Sequence, residues 1–124
     1  MNLTRATTSA VLALRVTYGL ALIAAPGKLA LRWLGDSAND APVQVPLRGL
    51  GTREAVLHAG ALIAVRKGAA LRPWLAASIA GDLTDVIATA AGRRRLPTGS
   101  PLATLAVGGG SALVSLLLAG VVDA

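Results

Sequence analysis

The chain has 124 residues, of which 54% are hydrophobic and only 15% charged, and a net charge of +6. A soluble domain averages about one quarter charged residues, so this length, enough for one domain, is short of water-facing surface. The lack of Cys excludes disulfides, thiolate nucleophiles and Cys-ligated metal. The cations cluster at the ends of apolar runs with almost no aromatics to stack bases, which argues against nucleic acid and for anionic lipid headgroups.

Four apolar runs follow in order, each near the ~20 residues needed to cross a bilayer core. They predict an all-α, single-domain, four-transmembrane-helix bundle over 1–124, with helices at about 7–25, 47–65, 71–91 and 101–122. The first run, "TSAVLALRVTYGLALIAAP", ends at Pro26. "GKLALRWLG" then places Lys28 and Arg32 four residues apart, the pattern of a short helix lying along the interface. "DSANDAPVQVP" reads as the one long polar loop, with the second helix starting after Pro46 and ending at Arg66-Lys67. "RKGAALRP" is a tight turn into the third helix, which stops at Gly92 before three Arg, where cations favour the helix dipole. Ser100-Pro101 reads as an N-cap followed by Pro at the first helical position. The last run, "LATLAVGGGSALVSLLLAGVV", has no charge and no polar face. Trp33 and Trp74 fall at expected water boundaries, which indole prefers.

The alternatives are a soluble bundle of unusually apolar helices, against which the last run speaks most strongly, and a signal peptide over residues 1–25, whose apolar core Arg15 would interrupt. Cations divide four against five between the two ends, so the positive-inside rule gives no orientation.

Seven ionisable residues lie within or at the ends of the runs: Arg15, Arg48, Arg53, Glu54, His58, Asp82 and Asp85. Each costs several kcal/mol at that depth unless paired or hydrated. Three Arg balance three carboxylates, as a mutually neutralised cluster requires. Counted along antiparallel helices at ~1.5 Å per residue, Arg15, Asp82 and His58 share one depth and Glu54, Arg53 and Asp85 another, with Arg48 near the rim. At 100° per residue, Arg48, Gly51, Glu54, Ala55 and His58 share a face of the second helix, with Arg53 nearly opposite. Trp74, Ser78, Asp82, Asp85 and Thr89 form one stripe, and Arg15, Tyr18, Gly19 and Leu22 another. The expected result is a polar pocket between apolar walls. Gly108 to Gly110 and Ser111 allow either close packing or space for a ligand.

The competing reading of this cluster is a set of ion pairs that fixes helix register without chemistry. Glu54 and His58 at i, i+4 lack the second His of a metalloprotease motif, so no metal is expected. Asp82 and Asp85 have the spacing of a magnesium-holding DxxD, but no second acidic motif accompanies them. Gly49 and Gly51 follow no strand, which speaks against a dinucleotide fingerprint.

"ALRVTYGLALIAAPGKLALRWLG", "LRGLGTREAVLHAG" and "AGDLTDVIAT" together resemble DUF4267-like proteins, an uncharacterised family of small four-span integral membrane proteins common in high-GC bacteria. The motifs are Arg15 with Gly19 and Pro26, Arg48-x-x-Gly51-x-Arg53-Glu54, and Gly81-Asp82-x-x-Asp85. The resemblance covers nearly the whole chain and implies no established activity. Such sequences commonly carry Gly where His58 stands, which makes His58 a departure that marks this member.

The leading functional expectation is a multi-pass cell-membrane enzyme of isomerase, cyclase or epoxide-opening type, acting on a hydrophobic small molecule. Glu54 or Asp82 is the expected proton donor and Asp85 or His58 the base. Arg15 and Arg53 are expected to hold the carboxylates or stabilise an oxyanion, and Tyr18, Arg48, Ser78 and Trp74 to complete the substrate-binding surface. No cofactor is needed. One alternative is a small dimeric proton-coupled transporter, although the first helix then carries Arg15 where such exporters place an acid. The other is a non-catalytic membrane accessory subunit.

Overall fold

The apolar run at the start of the chain winds into α1, Leu3–Ala24, in a computed structural model that describes residues 3–121. A proline forces the preceding residue out of the helical region. Ala25 accordingly sits at φ −139°, and Pro26 opens α2, Pro26–Leu34, where its missing N–H costs nothing. A 3-10 turn, Gly35–Asn39, leads into α3, Ala41–Arg66. α3 closes on Gly68 at φ +67°, while the Ala69 N–H bonds back to the Ala64 carbonyl. α4 spans Arg72–Ala91, and a 3-10 turn, Arg93–Arg95, follows it. α5 runs Ser100–Val121, with a π-helical turn at Leu105–Gly109. The described residues contain helices and turns, and no strand.

Two boundaries differ from the expected ones. The segment expected as a polar loop up to Pro46 is largely helix: Pro42 supports the first turn of α3 and Pro46 lies inside it. Pro46 removes a bond to the carbonyl of Pro42, and both residues are exposed, so that carbonyl is left to solvent. Ser100 is not an N-cap: Gly99 holds that position, and the Ser100 hydroxyl donates to the Trp33 carbonyl at the end of α2. Val122, the expected end of the last helix, lies outside the described residues.

α1 and α3 are antiparallel and in backbone contact. A Cβ added to Gly19 would stand 2.6 Å from the Gly51 carbonyl oxygen and 2.7 Å from the Ala55 nitrogen. α4 and α5 form a second antiparallel pair, with Gly108 against the Asp82 carbonyl. The core at one end gathers Leu12, Ala61, Ala64, Val65, Leu71 and Leu75. At the other, Ala30, Ala38 and Leu47 pack with Trp33. Both indoles are engaged by neighbouring helices: Trp33 Nε1 donates to Thr89 Oγ1 at 2.7 Å, and the Trp74 ring covers Gly60.

Arginines stitch helix ends together by donating to carbonyls that a C-terminus leaves open. Arg48 reaches the Ile23 carbonyl of α1, Arg5 the Ala69 carbonyl after α3, and Arg72 the Ala119 carbonyl of α5. The outside is apolar on every long helix: Leu14, Val56, Ile87 and Leu117 are 69%, 66%, 68% and 64% exposed. Of the four expected spans, α1 and α5, 22 residues each, are long and apolar enough to cross a membrane. α3 and α4 have the length, but their ionisable and hydroxyl residues lower their hydropathy.

The Gly19–Gly51 contact sets the α1–α3 distance. Gly19→Ala is expected to destabilise the purified protein by about 1–3 kcal/mol through overpacking, read as a lower unfolding midpoint. Gly49→Ala, where an added Cβ meets nothing within 4 Å, should leave the midpoint unchanged or raise it.

Candidate functional site

Arg15 stands in the middle of α1, one turn from the glycine contact that brings α3 against it. From there its guanidinium reaches two neighbouring helices. Nε and Nη2 donate to Glu54 of α3 at 3.3 and 2.9 Å. Nη1 and Nη2 donate to Asp82 of α4 at 2.8 and 2.6 Å. Both pairings are two-pronged, the geometry that makes Arg–carboxylate bonds strong and directional. The side chains of Arg15, Glu54 and Asp82 are 13%, 16% and 6% exposed, so the fork is largely shielded.

His58 extends the network along α3. Its Nδ1 lies 2.7 Å from the Glu54 backbone oxygen and 3.2 Å from Glu54 Oε2. Both partners are acceptors, so Nδ1 carries the proton. Nε2 lies 3.0 Å from Ser78 Oγ of α4. In the neutral imidazole Nε2 is therefore the acceptor and the Ser78 hydroxyl donates. His58 and Ser78 are buried, and no buried side-chain nitrogen or oxygen among the described residues lacks a hydrogen-bond partner. A continuous chain thus runs Ser78–His58–Glu54–Arg15–Asp82 across three helices.

Asp85, Tyr18, Arg53, Arg48 and Trp74 take no part in this chain of hydrogen bonds. Asp85 is half-buried one turn beyond Asp82 and, among the described residues, takes no hydrogen bond or ion pair. Tyr18 is 41% exposed one turn beyond Arg15. Arg53 is exposed on the far side of α3, outside the cluster. Arg48 is committed to the end of α1 and Trp74 to the packing against Gly60, which removes both from the expected binding surface. Ser78 serves as the partner of His58, a role its place on the α4 stripe did not reveal. Among the described residues, no three His, Cys, Asp or Glu side chains group as a metal site.

α1 and α5 diverge and leave a cleft of about 410 Å³. Val11, Leu14 and Arg15 form one wall, and Ala106, Val107, Gly110, Ser111 and Val114 the other. The second wall begins in the π-helical turn, a feature frequent at functional sites. Gly110 has open space where a Cβ would stand, whereas Gly108 is packed on α4. Within the triple glycine, close packing is thus seen at Gly108, while Gly110 borders open space.

Comparison with protein-family models, curated proteins and solved structures found no match.

Removing one partner of a shielded ion pair costs about 3–5 kcal/mol, mostly through the charge left behind. Arg15→Leu, which leaves two facing carboxylates, should lose stability of that order in denaturant unfolding. Arg15→Leu combined with Glu54→Gln and Asp82→Asn should recover most of it. Equal destabilisation in the single and triple variants would show that the carboxylates do not depend on Arg15.

Proposed function

We propose that the protein is a multi-pass cell-membrane protein, with α1, α3, α4 and α5 all crossing the bilayer, and that it catalyses acid–base chemistry on a lipophilic small molecule. The observation that carries this reading is the Arg15 fork at a cleft whose remaining lining is apolar apart from Ser111. Lipid is the solvent that the exposed Leu, Val and Ile of all four helices favour. At ~1.5 Å per residue, 20 to 26 residues give ~30–39 Å, enough for a hydrocarbon core of ~30 Å. Pairing Arg15 with carboxylates on two neighbouring helices is how α3 and α4 carry charge at that depth. Membership of the DUF4267-like family belongs to the same proposal and rests on the Arg48-to-Glu54 and Gly81-to-Asp85 motifs.

In this reading the cluster divides its labour. Glu54 and Asp82 hold the Arg15 guanidinium rigid, so its one N–H not bonded to a carboxylate is preorganised to donate to a substrate carbonyl or ether oxygen. Asp85, the carboxylate that Arg15 leaves unpaired, is the proton-transfer group of this reading, as an isomerisation or cyclisation requires; it is not among the cleft-lining residues, so a substrate must extend past Arg15 along α4 to reach it. His58 and Ser78 position Glu54.

A second reading, a non-catalytic accessory subunit, is favoured by one observation: among the described residues, every buried side-chain nitrogen and oxygen has a hydrogen-bond partner, as a register-fixing network would.

Two experiments test these statements. The chain has no Cys, so single cysteines at the exposed positions Ser37, Thr98, Lys67 and Ala70 report sidedness cleanly. A membrane-impermeant maleimide should label Ser37→Cys and Thr98→Cys from one side of the membrane, and Lys67→Cys and Ala70→Cys only from the other. Labelling of all four from one side contradicts four spans. Against a panel of long-chain enones and epoxides, Asp85→Asn should lower turnover by about 100-fold or more while the unfolding midpoint stays. Turnover unchanged in Asp85→Asn, Glu54→Gln, Asp82→Asn and His58→Ala removes the catalytic assignment and leaves the accessory reading.

A further inference from the structure

The cleft also constrains the charge of what it holds. A guanidinium has five N–H donors. The hydrogen bonds of Arg15 account for four, one from Nε, one from Nη1 and two from Nη2, so one N–H of Nη1 is left. One guanidinium facing two carboxylates has a formal charge of −1, and His58 in its neutral form, with Nε2 accepting from Ser78, adds nothing. The fork at the cleft is therefore a net anion that still offers one hydrogen-bond donor. An anionic headgroup would meet that net negative charge in a poorly screened setting and find only one donor. An ammonium would match the charge but offers no acceptor to the N–H. An uncharged oxygen, as in a ketone, ester, enone or epoxide, satisfies both conditions.

The rest of the lining agrees. Val11, Leu14, Val107 and Val114 provide apolar walls, and Ser111 adds a single hydroxyl. The volume of about 410 Å³ falls within the range of small-molecule sites, about 300–1,000 Å³. Leu14 and Val107 are 69% and 64% exposed on the outer surface, so the mouth opens laterally between α1 and α5.

We propose that the α1–α5 cleft binds an uncharged lipophilic molecule through one carbonyl or ether oxygen on the remaining Nη1–H of Arg15, and that it discriminates against anionic and cationic amphiphiles of the same chain length. The proposal rests on the membrane-embedded reading above and supplies its substrate class.

The test uses three diazirine-bearing probes of equal chain length in nanodiscs holding the full chain: an alkyl methyl ketone, an alkyl sulfonate and an alkyl trimethylammonium. Cross-links are mapped by mass spectrometry. The ketone should label Val107, Val114 or their neighbours saturably, and at concentrations at least about tenfold below those the other two require. Gly110→Leu, which places a side chain in open cleft space, should abolish that labelling without lowering the unfolding midpoint. Val114→Trp is the second variant, in case the first fails to fold. Sulfonate or trimethylammonium labelling the cleft as well as the ketone does overturns the charge selectivity but keeps a lipophilic site. No saturable labelling of the cleft by any probe overturns the site itself, while the membrane-embedded reading stands or falls separately on the sidedness of the four cysteines.

Discussion

Arg15 donates to Glu54 and Asp82 at once, and so ties three of the long helices at one level. Everything around it is arranged to make that possible. The Gly19–Gly51 contact brings α3 close enough for Glu54 to be reached. The seating of Gly108 on α4 fixes α5 behind Asp82. With both carboxylates engaged, His58 has a fixed acceptor on one side and Ser78 on the other. Losing the guanidinium would leave charges of one sign facing each other where water is scarce, which is why such networks favour one helix arrangement over its competitors.

The same interaction separates two kinds of acid in the chain. Glu54 and Asp82 are structural in the sense that their oxygens are occupied. Asp85, a single turn further along α4, is half-buried and unoccupied. In the catalytic reading proposed above, Arg15 supplies the fixed dipole and Asp85 the mobile proton, although Asp85 is not among the residues that line the cleft beside Arg15. In the same reading, the charge balance of that cleft constrains a ligand more sharply than its shape does.

Much of the helical order was legible in the sequence because it depends on local signals. Pro26 broke the first helix where the residue before a proline must leave the helical region, and Gly92 and Gly68 mark helix ends. The facing of Gly51, Ala55 and His58, and of Ser78, Asp82 and Thr89, followed from the 100° step, and those six residues are buried. Pro46 misled, because a proline in an exposed second turn removes one hydrogen bond and does not stop a helix already started by Pro42. Ser100 misled in another way: a hydroxyl placed to cap its own helix bonds instead to the end of α2, 67 positions away. Distant pairings of this kind have no sequence period.

Arg48 belongs with Ser100. Counting charges balanced it against the central carboxylates although counting depth put it near the rim, and antiparallel packing places it there, beside the open carbonyls of α1. Arg5 and Arg72 do the same at other helix ends, so an Arg near a helix terminus is better read against the neighbouring helix's C-terminus than against distant carboxylates. The central claim, that one guanidinium joins two carboxylates in the interior, is tested most directly by solid-state NMR of the full chain in lipid bilayers with labelled Arg and carboxyl carbons. The account predicts through-space correlations from the Arg15 guanidinium nitrogens to the carboxyl carbons of both Glu54 and Asp82, each lost on removing the corresponding acid. Correlation of Arg15 to lipid phosphorus, with neither carboxyl in range, would contradict it.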